Sequence, residues 1–305
     1  INIGCILDDT NIEEAVDLWI SDQASAQELY GHISDWDTAC VTDMSFLFAN
    51  SGFNDDISNW NTSNVTNMRF MFSNNEFNQD ISGWDTSSVT DMEKMFYQTT
   101  AFNQNIGPWD TSNVINMLGM FAYNEVFNGN INLWNTSNVI NMSFMFAYND
   151  GFNVDINNWD TSSVENMDMM FFRAYSFNQN LNNWNTSNVT SMNQMFAHAW
   201  SFNQSLATFN IEQVTDLSMF LYYSDLSTEN WDDILISWSL QNLQDDISID
   251  ASNNNTGNGV KYCISELERQ SIIDNFNWQI SDGGLDPVCD TSCNTPPPTG
   301  EAIQG

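Results

Sequence analysis

The feature that most constrains the fold is a unit of 24 or 25 residues that recurs through most of the chain. The stretch "FNQDISGWDTSSVTDMEKMF" begins at Phe77, and similar stretches begin at Phe53 and Phe102. An aromatic residue marks the register of the unit: Trp36, Trp60, Trp84, Trp109, Trp134, Trp159, Trp184 and, in the eighth place, Phe209. A period of this size predicts a solenoid, in which each unit covers the apolar face of the next.

Two apolar columns follow from aligning the units, and they predict the core. The first column contains Val41, Val65, Val89, Val114, Val139, Val164, Val189 and Val214. The second contains Met44, Met68, Met92, Met117, Met142, Met167, Met192 and Leu217. Methionine is a flexible apolar filler, so these columns favour core packing over a metal or redox site.

Each unit is predicted to contain a strand, a turn and a short helical segment. In the unit at Phe77, apolar residues at intervals suit a strand up to Trp84, followed by a turn at "WDTSS". The spacing of Met92, Met95 and Phe96 suits one or two helical turns. The fold class predicted is therefore an α/β repeat solenoid of about eight coils, each advancing about 4.8 Å along the stack.

The flanks predict caps, which a solenoid needs to cover its terminal coils. We expect an N-terminal helical cap at 1–35, the solenoid at 36–221, a C-terminal α/β cap at 222–289 and a proline-rich linker or tail at 290–305. The opening without methionine suggests a mature terminus, a fragment or part of a longer protein, and the tail suggests further protein beyond it.

The caps also contain helix signals. Thr10 and Glu13 form the pattern of a capping box, for a helix running to about Ile20. Ser227 is predicted to cap a helix that ends at about Trp238. Beyond it we expect a strand at "ISIDAS", a helix over 263–276 and a strand at "WQIS".

The charge of the chain excludes several classes of partner. With 5 basic and 40 acidic residues the formal net charge is −35, so the chain lacks the clustered lysine and arginine that bind nucleic acids or anionic membranes. Cations, basic proteins or neutral sugars are the partners that the charge favours. No apolar run is long enough for direct membrane insertion, whereas 42% hydrophobic residues suffice for a core.

The five cysteines lie in the flanks and predict disulfides that staple the ends. We expect Cys5 to pair with Cys40 and Cys263 with Cys289, which leaves Cys293 spare. Reduced cysteines without a role are the alternative, and a metal–thiolate site has less support.

A column of asparagines follows the first phenylalanine of the units: Asn54, Asn78, Asn103, Asn128, Asn153, Asn178 and Asn203. We predict a buried structural ladder, in which each side chain satisfies backbone groups of the adjacent coil.

A second polar column directly follows the aromatic residue of each unit: Asp37, Asn61, Asp85, Asp110, Asn135, Asp160, Asn185 and Asn210. With the next threonine, this column favours an Asx-type turn. The alternative is a row of calcium sites at Asp37, Asp85, Asp110 and Asp160. Alternation with asparagine halves the available charge, and no other cofactor is expected.

A row of aromatic residues behind the methionine–phenylalanine pair is the candidate binding surface: Tyr97, Tyr123, Tyr148, Tyr175 and Trp200. The alternative is packing against the neighbouring coil. An enzyme is not expected, because His32 and His198 have no triad or metal partners by motif. Neighbouring acidic pairs such as Asp55 and Asp56 point apart on a turn or strand, so they are not expected to act together in catalysis.

Units of the form "FNQDISGWDTSSVTDMEKMF" closely resemble the BspA-like leucine-rich-repeat surface proteins, over about 33–221. The flanks "NIEEAVDLWISDQASAQELYGHISDWDT", "LSTENWDDILISW" and "RQSIIDNFNWQISDGG" resemble segments next to such arrays in marine Bacteroidetes. The resemblance implies a leucine-rich-repeat-like fold, secretion by the type IX route, an extracellular or cell-surface location and adhesion without catalytic residues.

The function expected is therefore a binding or adhesion module that presents a repetitive face to a protein, a glycan or a cell surface. Many equal weak contacts gain strength through avidity when the partner is also repetitive. One alternative is a structural or accessory subunit of a larger extracellular assembly. Another is a carbohydrate-binding module of a polysaccharide-degrading enzyme.

Overall fold

The computed structural model describes residues 5–252 and 259–289. Its elements are α1 (Ile12–Ser21), α2 (Gln23–Tyr30), a 3-10 turn (Ile33–Asp35), α3 (Thr228–Trp238), β1 (Ser248–Asp250), α4 (Glu266–Phe276) and β2 (Gln279–Ser281). The predicted tail at 290–305 and the spare Cys293 lie outside the described residues.

Between the 3-10 turn and α3 the chain forms eight coils that lie side by side. Single parallel bridges join one equivalent residue of each coil to the next, and this residue is called the bridge residue below. The bridge residues are Asp43, Asn67, Asp91, Asn116, Asn141, Asn166, Ser191 and Asp216. Equal positions of successive units are therefore neighbours in space, as the columns of the sequence require.

The interior of the stack consists of the predicted apolar columns. The valines and methionines of both columns are at most 1% exposed, and so is Leu217. The indoles of Trp109 and Trp134 stack with centroids 6.4 Å apart. Each buried indole also has a hydrogen-bond partner: Nε1 of Trp134, for example, donates to the carbonyl of Ile106 at 3.1 Å. The tryptophan column thus combines apolar burial with a satisfied donor.

The strand and helical segment predicted for each unit are wrong, because the described part of the coils contains turns and single bridges instead. In the second coil, the amides of Met71 and Ser73 bond the carbonyls three residues earlier. The amides of Phe70 and Phe72 instead donate to carbonyls of the third coil, at 2.8 and 2.9 Å. In a helix all these amides would donate to carbonyls of the same helix, and the carbonyls of the neighbouring coil would be left without donors.

This alternation requires two left-handed residues in every coil. In the second coil they are Phe70 and Asn74, with φ of 56° and 54°. The left-handed region costs a non-glycine residue about 1–2 kcal/mol, so the propensities of the residues do not predict this pattern. The bonds to the neighbouring coil offset this cost.

The N-terminal cap covers the first coil with α1 and α2. Helix α1 buries Ile12, Val16 and Trp19, and the ring of Trp19 meets that of Trp36 edge-on at 5.9 Å. The predicted capping box is wrong: the helix begins at Ile12 after Asn11, and Thr10 donates its amide and hydroxyl to Asp8 instead. The carboxylate of Asp8 competes for the groups that a capping box would use.

The C-terminal cap continues the hydrogen bonds of the stack beyond the last coil. As predicted, Ser227 caps α3 by accepting from the amide of Asn230, and the helix ends at Trp238. The indole of Trp238 donates to Leu206, which is the bond that the next unit's tryptophan would have made. Strand β1 pairs in parallel with β2, and Arg269 donates to the carbonyl of Ile280 in β2 at 3.0 Å.

The predicted strands of this cap are present, whereas α4 begins at Glu266 and not at Cys263. The preceding residues fold around Asp232, which is 4% exposed. Its carboxylate accepts from the amides of Cys263, Ile264 and Ser265 and from the hydroxyl of Ser265. These bonds hold residues 263–265 outside the helix and fasten α4 to α3.

Both predicted disulfides are present. Cys5 is bonded to Cys40 and Cys263 to Cys289, with Cα–Cα distances of 6.0 and 5.6 Å. The first bond joins the N-terminal cap to the first coil across 35 positions. The second joins two residues of the C-terminal cap that are 26 positions apart. Such bonds persist in oxidising compartments, so they are consistent with a location outside the cytoplasm.

Candidate binding surface

The left-handed residues of the coils form one surface, which we call the outer stripe. It consists of two rows, the third and the seventh residue after each bridge residue. The first row is Phe46, Phe70, Lys94, Gly119, Phe144, Met169, Gln194 and Met219. The second is Asn50, Asn74, Gln98, Tyr123, Tyr148, Arg173, His198 and Tyr223. None of the non-glycine members is buried, so the stripe lies on the outside of the stack.

Aromatic rings of the outer stripe contact one another from coil to coil. Phe46 stacks on Phe70 at 4.8 Å, and Tyr123 stacks on Tyr148 at 4.2 Å. Beyond them, His198 stacks on Tyr223 at 4.7 Å. Phe172, adjacent to a stripe position, joins Tyr148 to His198 through edge-on contacts of 5.2 and 5.7 Å, and Tyr97, also adjacent to one, meets Tyr123 edge-on at 5.3 Å.

Three of the chain's five lysine and arginine residues lie on or beside this stripe. The ammonium of Lys94 lies 5.3 Å from the ring centre of Phe70, and the guanidinium of Arg173 lies 5.2 Å from that of Tyr148. Arg69 reaches Phe70 at 5.4 Å and Glu93 at 3.5 Å. Within the described residues, neither Lys94 nor Arg173 forms a salt bridge, although the chain has 40 acidic residues.

A shallow groove of about 500 Å³ runs along the stripe across five coils. Its lining is Lys94, Tyr97, Leu118, Ser143, Phe144, Asp168, Met169 and Asn193. The accessible lining is mainly apolar, with Lys94 in the third coil and the carboxylate of Asp168 in the sixth. Asp168 accepts from the hydroxyl of Ser191 and, at 2.8 Å, from the amide of Asn193, so hydrogen bonds within the protein hold its carboxylate in place.

Gly119 makes room for the lysine of this groove. A Cβ at Gly119 would lie 3.1 Å from Cγ and 3.5 Å from Cε of Lys94. The lysine stem therefore lies across the next coil, at the row's single glycine.

Burial and neighbouring charges shift three pKa values around the stripe. Burial, together with a hydrogen bond to Tyr148, raises the pKa of Tyr123 to about 12. Burial, with a smaller effect of Arg173, lowers the pKa of His198, which is therefore neutral at neutral pH. Burial and then Glu125 raise the pKa of Asp150, against an opposing effect of Arg173.

The predicted aromatic row divides into two groups. Tyr97, Tyr123 and Tyr148 are half-buried and form consecutive contacts on or beside the outer stripe. Tyr175 and Trp200 instead stack on each other at 4.3 Å, two residues further along their coils. Trp200 is 50% exposed. The variable spacing behind the methionine–phenylalanine pair places these two residues outside the stripe.

The predicted asparagine ladder connects the coils, but it lies at the surface. Oδ1 of Asn128 accepts from the amide of Asn153 at 3.1 Å, and the same bond recurs from Asn54 to Asn203. Asn203 extends the ladder to the amide of Ser227 in the C-terminal cap. The prediction of burial is wrong, because these asparagines are exposed or half-buried at one side of the stack.

The predicted Asx turns are present. The side chain of Asp85, for example, accepts from the amide of Ser87 at 3.0 Å, and all eight members of the column bond the amide two residues on. Hydrogen bonds from Ser87 and from Ser162 lower the pKa of Asp85 and of Asp160. In the described ranges, no three acidic, histidine or cysteine side chains cluster as metal ligands would, at Asp37, Asp85, Asp110, Asp160 or elsewhere.

Phe46, Phe70, Lys94, Phe144 and Arg173 are surface residues that the sequence reasoning missed. They occupy the variable positions on either side of the methionine–phenylalanine pair. One signal for them was available in the sequence. Large apolar and basic residues recur at positions that would face solvent if the predicted helical turn were present.

No helix within the described ranges combines the length and the apolar character that crossing a membrane requires. No curated protein and no solved structure matches the chain.

One family does match, over residues 21–134 and again over 119–238. Its description is "Mycoplasma protein of unknown function, DUF285". The two matches overlap and together cover more than two thirds of the 305 residues, including all eight coils. The chain therefore belongs to the DUF285 family.

Proposed function

We propose that this protein is a non-enzymatic binding or adhesion module that acts outside the cell or at the cell surface. The observation that carries the proposal is the outer stripe, a partly exposed band that has an aromatic or basic side chain in each of the eight coils. Every coil contributes side chains to the stripe, so a partner that lies along it meets several contacts at once, and weak contacts add up to avidity.

The backbone of the stripe also supports a binding role. Fifteen non-glycine residues there adopt left-handed conformations, which cost about 1–2 kcal/mol each for ordinary side chains. Asn50 and Asn74 are of a type that tolerates this conformation, but the next coils carry Gln98, Tyr123 and Tyr148. Strained positions that keep large side chains in preference to glycine are typical of functional surfaces.

We also propose that the chain is a leucine-rich-repeat-like solenoid of the BspA-like type found in marine Bacteroidetes, exported by the type IX route. The resemblance of the repeats, the ladder of single bridges and the family match support this assignment. The α/β label would then rest on the caps, since the coils themselves contain turns.

Two alternatives have specific support. The C-terminal cap, where the bonds of the stack continue into α3 and β1, would suit an accessory subunit joined to a larger assembly. The exposed Trp200, stacked on Tyr175, would suit a carbohydrate-binding module, because a sugar ring packs against an open aromatic face.

The test is recovery of the protein from its own cells, followed by binding of the purified protein to the same cell surface. We expect the Phe144→Ser and Tyr148→Ser variants to lose surface binding. The matched control is Ile140→Ser, which removes an exposed apolar side chain outside the stripe. A constant stoichiometric partner with no binding by the isolated protein would favour the accessory subunit, and loss only in Trp200→Ser would favour the glycan module.

A further inference from the structure

We propose that the groove of the outer stripe binds an extended segment of a partner protein that combines apolar side chains with an acidic residue, the acidic residue lying at Lys94. This inference rests on the proposed function and specifies its ligand.

The Lys94 end of the groove carries a charge opposite to that of the chain, and Asp168 is the one acidic residue of the groove lining. Lys94 lines the groove without forming a salt bridge to any described residue, in a protein of net charge −35. Arg173, likewise without a salt bridge in that part of the chain, lies over Tyr148, whose ring is 6.5 Å from that of Phe144. At physiological salt the repulsion from distant carboxylates is screened within about 8 Å, so a ligand in the groove responds mainly to the charges nearest to it, which are Lys94 at one end and Asp168 at the other.

The position of Lys94 is set by its surroundings. Its stem crosses Gly119, where any larger residue would meet Cγ at 3.1 Å, and its ammonium lies between the rings of Phe70 and Tyr97 at 5.3 and 5.6 Å. A lysine held in this way loses less conformational entropy when a carboxylate binds it.

The stacked tyrosines beside the groove have few open ring faces. The stack of Tyr123 on Tyr148, at 4.2 Å and 12°, covers one face of each ring with the other ring. Ring edges carry the positive end of the quadrupole, so they favour carboxylate oxygens. Sugars pack on open ring faces, and the stacked pair offers few of them.

The floor of the groove requires apolar groups. Leu118, Phe144 and Met169 line the groove on three successive coils, from the coil next to that of Lys94 to the coil of Asp168. Across five coils the groove extends about 20 Å, which is the length of about six residues of extended peptide. The backbone amides at its base, such as those of Phe144 and Met169, already donate to the next coil. Recognition therefore depends on side chains of the peptide and not on strand addition.

The two charged residues of the groove determine where the acidic residue of the peptide lies. Lys94 attracts its carboxylate, whereas the carboxylate of Asp168, three coils away, repels a second one. We expect one acidic residue near one end of the segment, with apolar residues after it and a polar uncharged residue at the other end.

The experiment measures the affinity of the full chain for capped heptapeptides at 150 mM salt. The first probe has one terminal glutamate followed by leucine and serine residues, and matched probes carry glutamine or lysine in place of the glutamate. Oligogalacturonate and a cello-oligosaccharide represent acidic and neutral glycans. We expect the glutamate peptide to bind about tenfold more tightly than the glutamine peptide, since a charge-assisted contact is formed only by the former.

The variants locate the effect. Lys94→Gln should abolish the preference for glutamate, and Gly119→Ala should weaken it because the lysine stem is displaced. Lys261→Gln removes the same charge from the C-terminal cap, where Lys261 lies 3.8 Å from Asp286, and should leave the preference unchanged. Phe144→Ser should lower the affinity for the glutamate, glutamine and lysine peptides by the same factor.

Several results would overturn the inference: no binding of the glutamate peptide, tighter binding of the lysine peptide, or an equal effect of Lys94→Gln and Lys261→Gln. Binding of either glycan in place of the peptides, or self-association that Phe144→Ser removes, would also overturn it. If the protein still binds its native cell surface through the stripe while the glutamate peptide fails, the proposed function stands and only this ligand assignment falls.

Discussion

The inward and outward sides of the same coil segment differ in what they repeat. Inward, every coil places the same kinds of side chain in the same column, such as Met120, Met145 and Met170, which are fully buried. Outward, the first row of the outer stripe has phenylalanine, lysine, glycine, methionine or glutamine, depending on the coil. The repeated side builds the stack, and the varied side, supported by it, can be specific for one ligand.

The largest expected effect is the loss of a side chain from the inward columns. Trp134→Ala removes a ring that stacks on Trp109 and Trp159 and a donor to the carbonyl of Ile106, so we expect unfolding to be easier by about 3–5 kcal/mol. Denaturant unfolding measures this. The outward Phe144→Ala should cost under about 1 kcal/mol, and equal costs would break the comparison.

The C-terminal cap should depend strongly on one buried carboxylate. Asp232→Ala leaves the amides of Cys263, Ile264 and Ser265 without their acceptor, so we expect a loss of about 3 kcal/mol. Hydrogen exchange should show faster opening of α3 and α4 and of the last coil, with the first coils protected. Asp233→Ala, at the exposed neighbouring position, is the control and should change little.

An intermediate effect is expected at the asparagine ladder, where each rung is one hydrogen bond. Asn128→Ala removes the acceptor for the amide of Asn153, and we expect a cost of about 1 kcal/mol. The control is Asn132→Ala, because Asn132 is half-buried and its amide donates to its own coil. No difference between the two variants in thermal unfolding would mean that water replaces the rung.

The smallest effect should have the opposite sign. Gln98→Gly relieves a left-handed residue at φ 55° on the outer stripe, and we expect stabilisation of about 0.5–1 kcal/mol after the entropy of glycine is counted. Gln213→Gly, at an exposed position outside the left-handed set, should destabilise instead. Destabilisation by both would show that the stripe backbone is unstrained.

Acid should affect the turns only at low pH. Hydrogen bonds from Ser87 and Ser162 lower the pKa of Asp85 and Asp160 below the ordinary value of 3.8. The stability they contribute is therefore complete above pH 3.8 and is lost as the pH falls through the lower folded values. Unfolding midpoints of Asp85→Asn and the wild-type protein should converge below pH 3.8, and convergence near pH 6 would contradict this assignment.

The sequence predicted the columns, both disulfides and the cap at Ser227, because each depends on residue type at a fixed register. It did not predict the backbone of the coils. Apolar residues such as Met92, Met95 and Phe96 have the same spacing in a helical turn and in a coil that donates alternate amides to its neighbour. Only the presence of that neighbour decides between the two.

The candidate surface was predicted only in part, because contacts along it also depend on the neighbouring coil. Tyr123 and Tyr148 occupy equal positions and contact each other, whereas Tyr175 lies two residues further along its coil. Lys94 gave no signal, since its role depends on Gly119 in the next coil.

The measurement that tests the central claim most directly compares stability and surface binding in one set of variants. Phe144→Ser and Tyr148→Ser on the outer stripe, and Ile115→Ser and Ile140→Ser outside it, all remove accessible apolar side chains. We predict similar unfolding midpoints for all four proteins, with binding to the native cell surface lost only in the two stripe variants. Undiminished binding by both stripe variants, with their folding intact, would contradict the claim that the varied side of the coils is the binding surface.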